Sequence, residues 1–125
     1  MNFTVLTLFP EQVRGFLETS ITGRAMNKGV FSLDTVNIRN FAGNAYNKVD
    51  YTMFGGGTGM LIMCEPVYEA WKSVMAPDAS DRPHTVYLTP KGVVLSQAKA
   101  IELSKYEHLV FLCGHYEGID QRVLD

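Results

Sequence analysis

An α/β fold with a mostly parallel sheet is what this sequence predicts, on three observations. Four short segments rich in β-branched, aromatic and aliphatic residues are spaced along the chain: Asn2 to Phe9, Phe31 to Ile38, Thr85 to Leu88 and Leu109 to Cys113. Stretches with apolar residues at helical spacing lie between them. The last segment is apolar without alternation, as a strand buried on both faces requires. Strands and helices in alternation imply helices on both faces of the sheet and strand carboxyl ends gathered along one edge.

Each element has a local reason. Asn2 to Phe9 stops at Pro10, which suits the first turn of a helix. That helix is expected from Glu11 to about Thr19, with Val13, Phe16 and Leu17 on one face. A second, short helix within Ser20 to Gly29 ends at the glycine. Phe31 to Ile38 alternates apolar and polar residues and reads as a strand buried on one face. From Asn40 to Tyr51 there is little period, so a loop is expected, and Gly55 to Gly59 continues it. Cys64 to Met75 carries Val67, Trp71, Val74 and Met75 at helical spacing, with Pro66 near its start. Ala76 to Pro83 is a polar surface connection. The strand Thr85 to Leu88 is closed by Thr89-Pro90-Lys91-Gly92, and Ser96 caps a helix reaching Tyr106. After Cys113, Ile119 to Asp125 looks like the first turns of another helix.

At 125 residues the chain is one domain by length, large enough to bury a core. Hydrophobic residues at 46% and charged residues at 19% describe a globular protein and exclude a disordered one. A net charge of −2 gives no global footprint for nucleic acid, so such a role needs local features. Two cysteines far apart, Cys64 and Cys113, each in apolar sequence, read as reduced buried thiols. The start lacks the pattern of a secretory leader and no run has membrane-spanning length, so a cytoplasmic location is expected.

The chemistry concentrates at the predicted carboxyl edge. Phe9-Pro10, Thr89 to Gly92 and Gly114 to Gly118 should meet there, and three loops at one rim are a reason to expect a pocket. Gly114 and Gly118 frame His115, Tyr116 and Glu117, so a ligand can approach bare backbone beside a carboxylate. The loop Phe54-Gly55-Gly56-Gly57-Thr58-Gly59-Met60 meets neither phosphate-loop signature. Four glycines in five residues nevertheless cost about 0.5–1 kcal/mol each to order relative to alanine, which points to close approach by a ligand or another chain. Cys113, His115 and Glu117 alternate, yet no second ligand cluster accompanies them and no metal site is expected. His115 reads equally well as a solvated loop histidine. His84 and His108, at strand starts beside polar neighbours, are expected at the surface, and Trp71 in the core. On spacing alone, Arg24 and Asp50 are ordinary surface charges.

Several motifs in order carry a more specific comparison. They are Leu8-Phe9-Pro10, Thr22-Gly23-Arg24-Ala25, Val49-Asp50, the glycine loop through Met60, Leu88 to Gly92, and Cys113-Gly114-His115-Tyr116-Glu117-Gly118-Ile119-Asp120. Over its whole length the chain strongly resembles the bacterial tRNA (guanine-N1)-methyltransferases of the SPOUT class. It departs at His115, where arginine is also common, at Phe54 for tyrosine and at Lys91 for glutamine. The resemblance implies a trefoil-knotted α/β fold that binds S-adenosyl-L-methionine in a bent conformation and methylates the guanine just 3′ of the anticodon. It implies a homodimer with sites shared between subunits, tRNA as partner, no membrane, and it allows Mg2+ as a further cofactor.

By the same resemblance, Leu88, Thr89, Pro90, Gly114, Tyr116, Glu117 and Gly118 line the cofactor pocket. Glu117 also faces the target base, Gly57 and Gly59 lie close to it, and Arg24 and Asp50 support tRNA. The family's general base, an aspartate, and its helical tRNA-binding domain fall beyond position 125. The chain is therefore expected to be the amino-terminal, cofactor-binding portion, with its knot incomplete and no turnover alone. Two other readings stay open: another SPOUT enzyme acting on rRNA, and a non-catalytic module that binds a nucleoside-like ligand.

Overall fold

The computed structural model describes residues 1–42, 50–52, 60–62, 64–75 and 83–114. Four strands form one parallel sheet: β1 (Asn2–Thr7), β2 (Ser32–Asn37), β5 (His84–Leu88) and β6 (His108–Cys113), in the order β2-β1-β6-β5. The register pairs Leu6 of β1 with Val36 on one side and Leu112 on the other. Two three-residue strands, β3 (Asp50–Thr52) and β4 (Met60–Ile62), make a separate antiparallel pair. These lie partly where a loop was expected. Three residues are too few to display a period, and the ladder joining Asp50 to Ile62 is not visible locally.

The helices α1 (Pro10–Leu17), α2 (Ser20–Asn27), α3 (Cys64–Val74) and α4 (Gln97–Ser104) flank the sheet on both faces, as the alternation predicts. Handedness explains which goes where. The steps from β1 to β2 and from β5 to β6 run in the same direction across the sheet, while the step from β2 to β5 runs back. Right-handed crossovers therefore put α1 and α4 on one face and α3 on the other. Contacts agree: Arg14 of α1 donates to Thr35 Oγ1 at 3.0 Å, whereas the Trp71 indole of α3 donates to Thr85 Oγ1 at 2.9 Å, on the opposite face.

The core lies under α3. Leu6, Ile38, Val67 and Val110 are fully buried, joined by Leu8, Ala70 and Leu112. Trp71 packs against this cluster, as expected, with its N–H satisfied by Thr85. Two expectations are corrected. Phe16 is 77% exposed, because Val13 and Leu17 are the half-buried positions of α1 and Phe16 falls outside that stripe. His84 and His108 are half-buried rather than superficial. His84 stacks on Tyr106 with ring centroids 4.2 Å apart, and His108 Nε2 lies 2.8 Å from the hydroxyl of buried Thr4. Neither partner is a sequence neighbour, so the burial is set by tertiary pairing.

Local signals hold at the helix ends. Ser96 accepts from Lys99 N at 3.1 Å and caps α4. Gly29, at φ 76°, closes α2 with bonds from Gly29 N to Met26 O and from Val30 N to Ala25 O, a Schellman arrangement. The link between α1 and α2 is tight. Ser20 takes φ 56°, a left-handed backbone that costs a non-glycine residue roughly 1–3 kcal/mol. Gly23 is buried against Glu18, whose carbonyl oxygen would stand 2.3 Å from any added Cβ.

Alanine normally stabilises a helical position by about 1 kcal/mol over glycine. At Gly23 the backbone clash reverses that sign, so Gly23→Ala is expected to destabilise by about 1–3 kcal/mol in denaturant titration. Leu6→Ala, at the most buried point of the central strand, is expected to cost about 2–5 kcal/mol in the same measurement.

Candidate functional site

Because the four strands of the main sheet are parallel, their carboxyl ends form one rim. The turn after β1 begins with Phe9 N donating to buried Thr7 Oγ1 at 3.1 Å, and Pro10 then starts α1. After β2, Ile38–Phe41 form a single 3-10 turn in which Asn37 Oδ1 accepts from Arg39 N at 3.0 Å. After β5, Gly92 N bonds to Thr89 O at 3.1 Å and Lys91 N to Thr89 Oγ1 at 3.3 Å. That is a β-turn with Pro90 at its second position, where the fixed proline φ is already correct.

Leu88 and Cys113 are register partners on adjacent strands. Thr89 and Gly114 follow them directly, so the two loops implicated by sequence leave from neighbouring points of the rim. Leu88, Thr89 and Gly92 also border an open, mainly apolar cavity of about 730 Å³ between the sheet and α4. Phe3, Val86, Leu109 and Phe111 form its floor. Its volume is in the range of sites that take nucleoside-sized ligands. Beside the turn, Val93, Val94 and Leu95 are exposed in succession, at 82%, 87% and 70%.

The remaining sequence-predicted residues divide into two groups. His115, Tyr116, Glu117 and Gly118 of the last motif, and Gly57 and Gly59 of the glycine loop, lie outside the described residues. So do the final segment from Ile119 and hence the part of the chain that bears on a knot. Asp50 opens β3 opposite Ile62. Arg24 is exposed in the last turn of α2, which packs closely at Gly23 against Glu18 at the end of α1. No group of three His, Cys, Asp or Glu residues comes together among the described residues.

Comparison with known proteins decides the family. The model of the family described as tRNA (Guanine-1)-methyltransferase TrmD matches residues 1–125. The chain belongs to this family. A tRNA (guanine-N(1)-)-methyltransferase of Ruminiclostridium cellulolyticum is 46% identical over the whole chain, which covers 53% of that protein. One from Clostridioides difficile is 42% identical, again over the whole chain and 54% of the relative. The crystal structure of the tRNA (m1G37) methyltransferase from Aquifex aeolicus superimposes with a TM-score of 0.84 and 35% identity. It covers 98% of this chain, which in turn spans 55% of it. The chain thus spans about half the length of the tRNA (guanine-1)-methyltransferases it matches.

Within that family framework the β5 and β6 end of the described rim is built from backbone and apolar groups, apart from the Thr89 hydroxyl and Lys91. Sequence reasoning found the turn from its Thr-Pro-Lys-Gly pattern but missed Arg39, which stands over the Phe9 ring at 5.6 Å. The signal was present as an arginine directly after a predicted strand, but the aromatic beneath it is 30 residues away in sequence.

Cys113, the last residue of β6, is a free thiol and half-buried, not fully buried as the apolar run implied. Burial pushes it above its ordinary value of 9.0. The thiolate is therefore disfavoured in the folded chain. This group's contribution to stability is fully present below 9.0 and is lost as pH rises through the higher native value. In a Cys64→Ser variant at pH 9, alkylation of native Cys113 is expected to be slower than that of the denatured chain. Equal rates would contradict the protected position.

Proposed function

We propose that this chain is the cofactor-binding portion of an enzyme that transfers a methyl group from S-adenosyl-L-methionine to N1 of the tRNA guanine immediately 3′ of the anticodon. The observation that carries the reading is the pairing of Leu88 with Cys113, which sets the Thr89 turn and Gly114 at adjacent strand ends, with the Thr89 turn bordering an apolar cavity. A nucleoside fits such a mouth, with hydrophobic walls for a base and backbone groups for its polar edge. In this reading Leu88, Thr89, Pro90 and Gly114 hold the cofactor together with Tyr116, Glu117 and Gly118.

The bound cofactor supplies a methyl group on a sulfonium, an electrophile that needs alignment more than activation. The turn and the Gly114 loop provide that alignment, which turns an encounter of two molecules into a reaction within one complex. Glu117 accepts hydrogen bonds from the N–H edge of the guanine. Gly57 and Gly59 allow the base to come close, and Arg24 and Asp50 support the tRNA. As the family resemblance implies, an aspartate general base and a helical tRNA-binding domain lie beyond residue 125 in this reading, so the 125 residues alone are proposed to be inactive.

The working form in this proposal is a cytoplasmic homodimer, and the exposed Val93 to Leu95 are apolar surface for a partner to cover. Mg2+ is an auxiliary cofactor in the reading, and activity that persists unchanged under chelation removes it.

The deciding experiment is methylation with labelled cofactor, comparing tRNA transcripts that carry guanine or adenine 3′ of the anticodon. Protein of the relatives' full length is expected to label only the guanine transcript, and the 125-residue chain neither. Labelling of rRNA in place of tRNA, or turnover by the short chain, would refute the corresponding claim. In the full-length protein, Glu117→Gln is expected to lower kcat/KM by roughly 10- to 100-fold, the worth of a hydrogen bond to a charged acceptor.

A further inference from the structure

The carboxyl rim has a second feature, at its other end. From β1 the chain leaves toward the face that carries α1, and from β2 toward the face that carries α3. Adjacent strands whose connections part to opposite faces leave a crevice between their carboxyl ends, the place where open α/β sheets bind ligands. Phe9 and Arg39 meet at the carboxyl ends of β1 and β2, with the guanidinium carbon 5.6 Å from the ring centroid. Phe9 itself packs against the buried core, so the shelf beneath the cation is fixed.

The cation is placed but not neutralised by the residues described around it. The Asn37 side chain sets the turn by accepting from Arg39 N. The ion pairs among the described residues are Arg14 with Glu18 and Lys99 with Glu102, and neither involves Arg39. A guanidinium held over a ring by its cation makes no hydrogen bond to that ring, so its N–H donors stay available, and their fork matches two oxygens of a phosphate. In a chain of net charge −2, attraction for a polyanion must come from such isolated, positioned cations.

We propose that Arg39, held over Phe9 in the crevice between β1 and β2, is a phosphate-binding subsite for the RNA strand. This rests on the reading of the protein as an RNA methyltransferase and adds a contact which that reading lacked. Three interstrand spacings, roughly 14 Å, separate β2 from β5 along the rim. A nucleotide held near Thr89 and a neighbouring phosphate on Arg39 would thus lie on the same edge of the sheet.

The test is binding of a tRNA anticodon stem-loop, and of an unrelated RNA hairpin, to full-length protein over a series of salt concentrations. Arg39→Gln is expected to weaken stem-loop binding about tenfold and to flatten the slope of log affinity against log salt by about 0.7–0.9. The affinity for S-adenosyl-L-methionine and the thermal midpoint should stay at wild-type values, with KM for tRNA raised and kcat within about twofold. Arg39→Lys, which keeps the charge, should restore the salt slope. An unchanged slope in Arg39→Gln overturns the proposal. So does a loss of cofactor affinity and thermal midpoint equal to the loss of RNA affinity, in Arg39→Gln and Arg39→Lys alike, because that pattern marks a packing role. Failure of the wild-type protein to methylate tRNA defeats the functional reading instead, while a slope that still falls in Arg39→Gln with either RNA keeps the subsite.

Discussion

The structure depends on the parallel pairing of β1 with a partner on each side. Only a strand hydrogen-bonded on both edges and covered on both faces can keep Leu6 fully out of water, and only parallel neighbours make all four exits of the sheet point one way. Leu6 with Leu112 on one flank and Val36 on the other fixes the register. A slip of one residue would turn Leu6 from the α3 face to the α1 face. A second register, between β5 and β6, pairs Leu88 with Cys113 and sets Thr89 beside Gly114.

The direction of each crossover then does the rest. Two steps across the sheet in one direction and one in the other distribute the helices over both faces. The same arithmetic creates the diverging exits of β1 and β2. The two ends of the rim differ in chemistry as a result. At β5 and β6 it is apolar and built from main chain, suited to an uncharged ring. At β1 and β2 it presents a cation on an aromatic face.

Much of this was legible in the sequence, and the gaps have physical causes. Pro10, Gly29, Ser96 and the Thr89 to Gly92 turn act on their immediate neighbours, so their signals survive without tertiary information. The four strands of the main sheet were recognisable because their composition suits burial. The β3–β4 pair was missed because each strand is three residues long. The half-buried states of His84 and His108 depend on Tyr106 and Thr4, and the placement of Arg39 on Phe9. Such contacts join side chains that no local pattern connects. Of the candidate site, the Thr-Pro-Lys-Gly turn and the strand ahead of Gly114 were legible. The cation at the other end of the rim was not, because Arg39 and Phe9 meet only in three dimensions.

Trp71 is the only tryptophan in the chain, and its indole N–H is bonded to the Thr85 hydroxyl on β5, four residues before Thr89. Indole emission responds to the polarity and hydrogen bonding of that nitrogen. The protein therefore carries a built-in optical reporter on the strand that leads to the turn, and a shift of β5 against α3 would register in its fluorescence without attaching a dye.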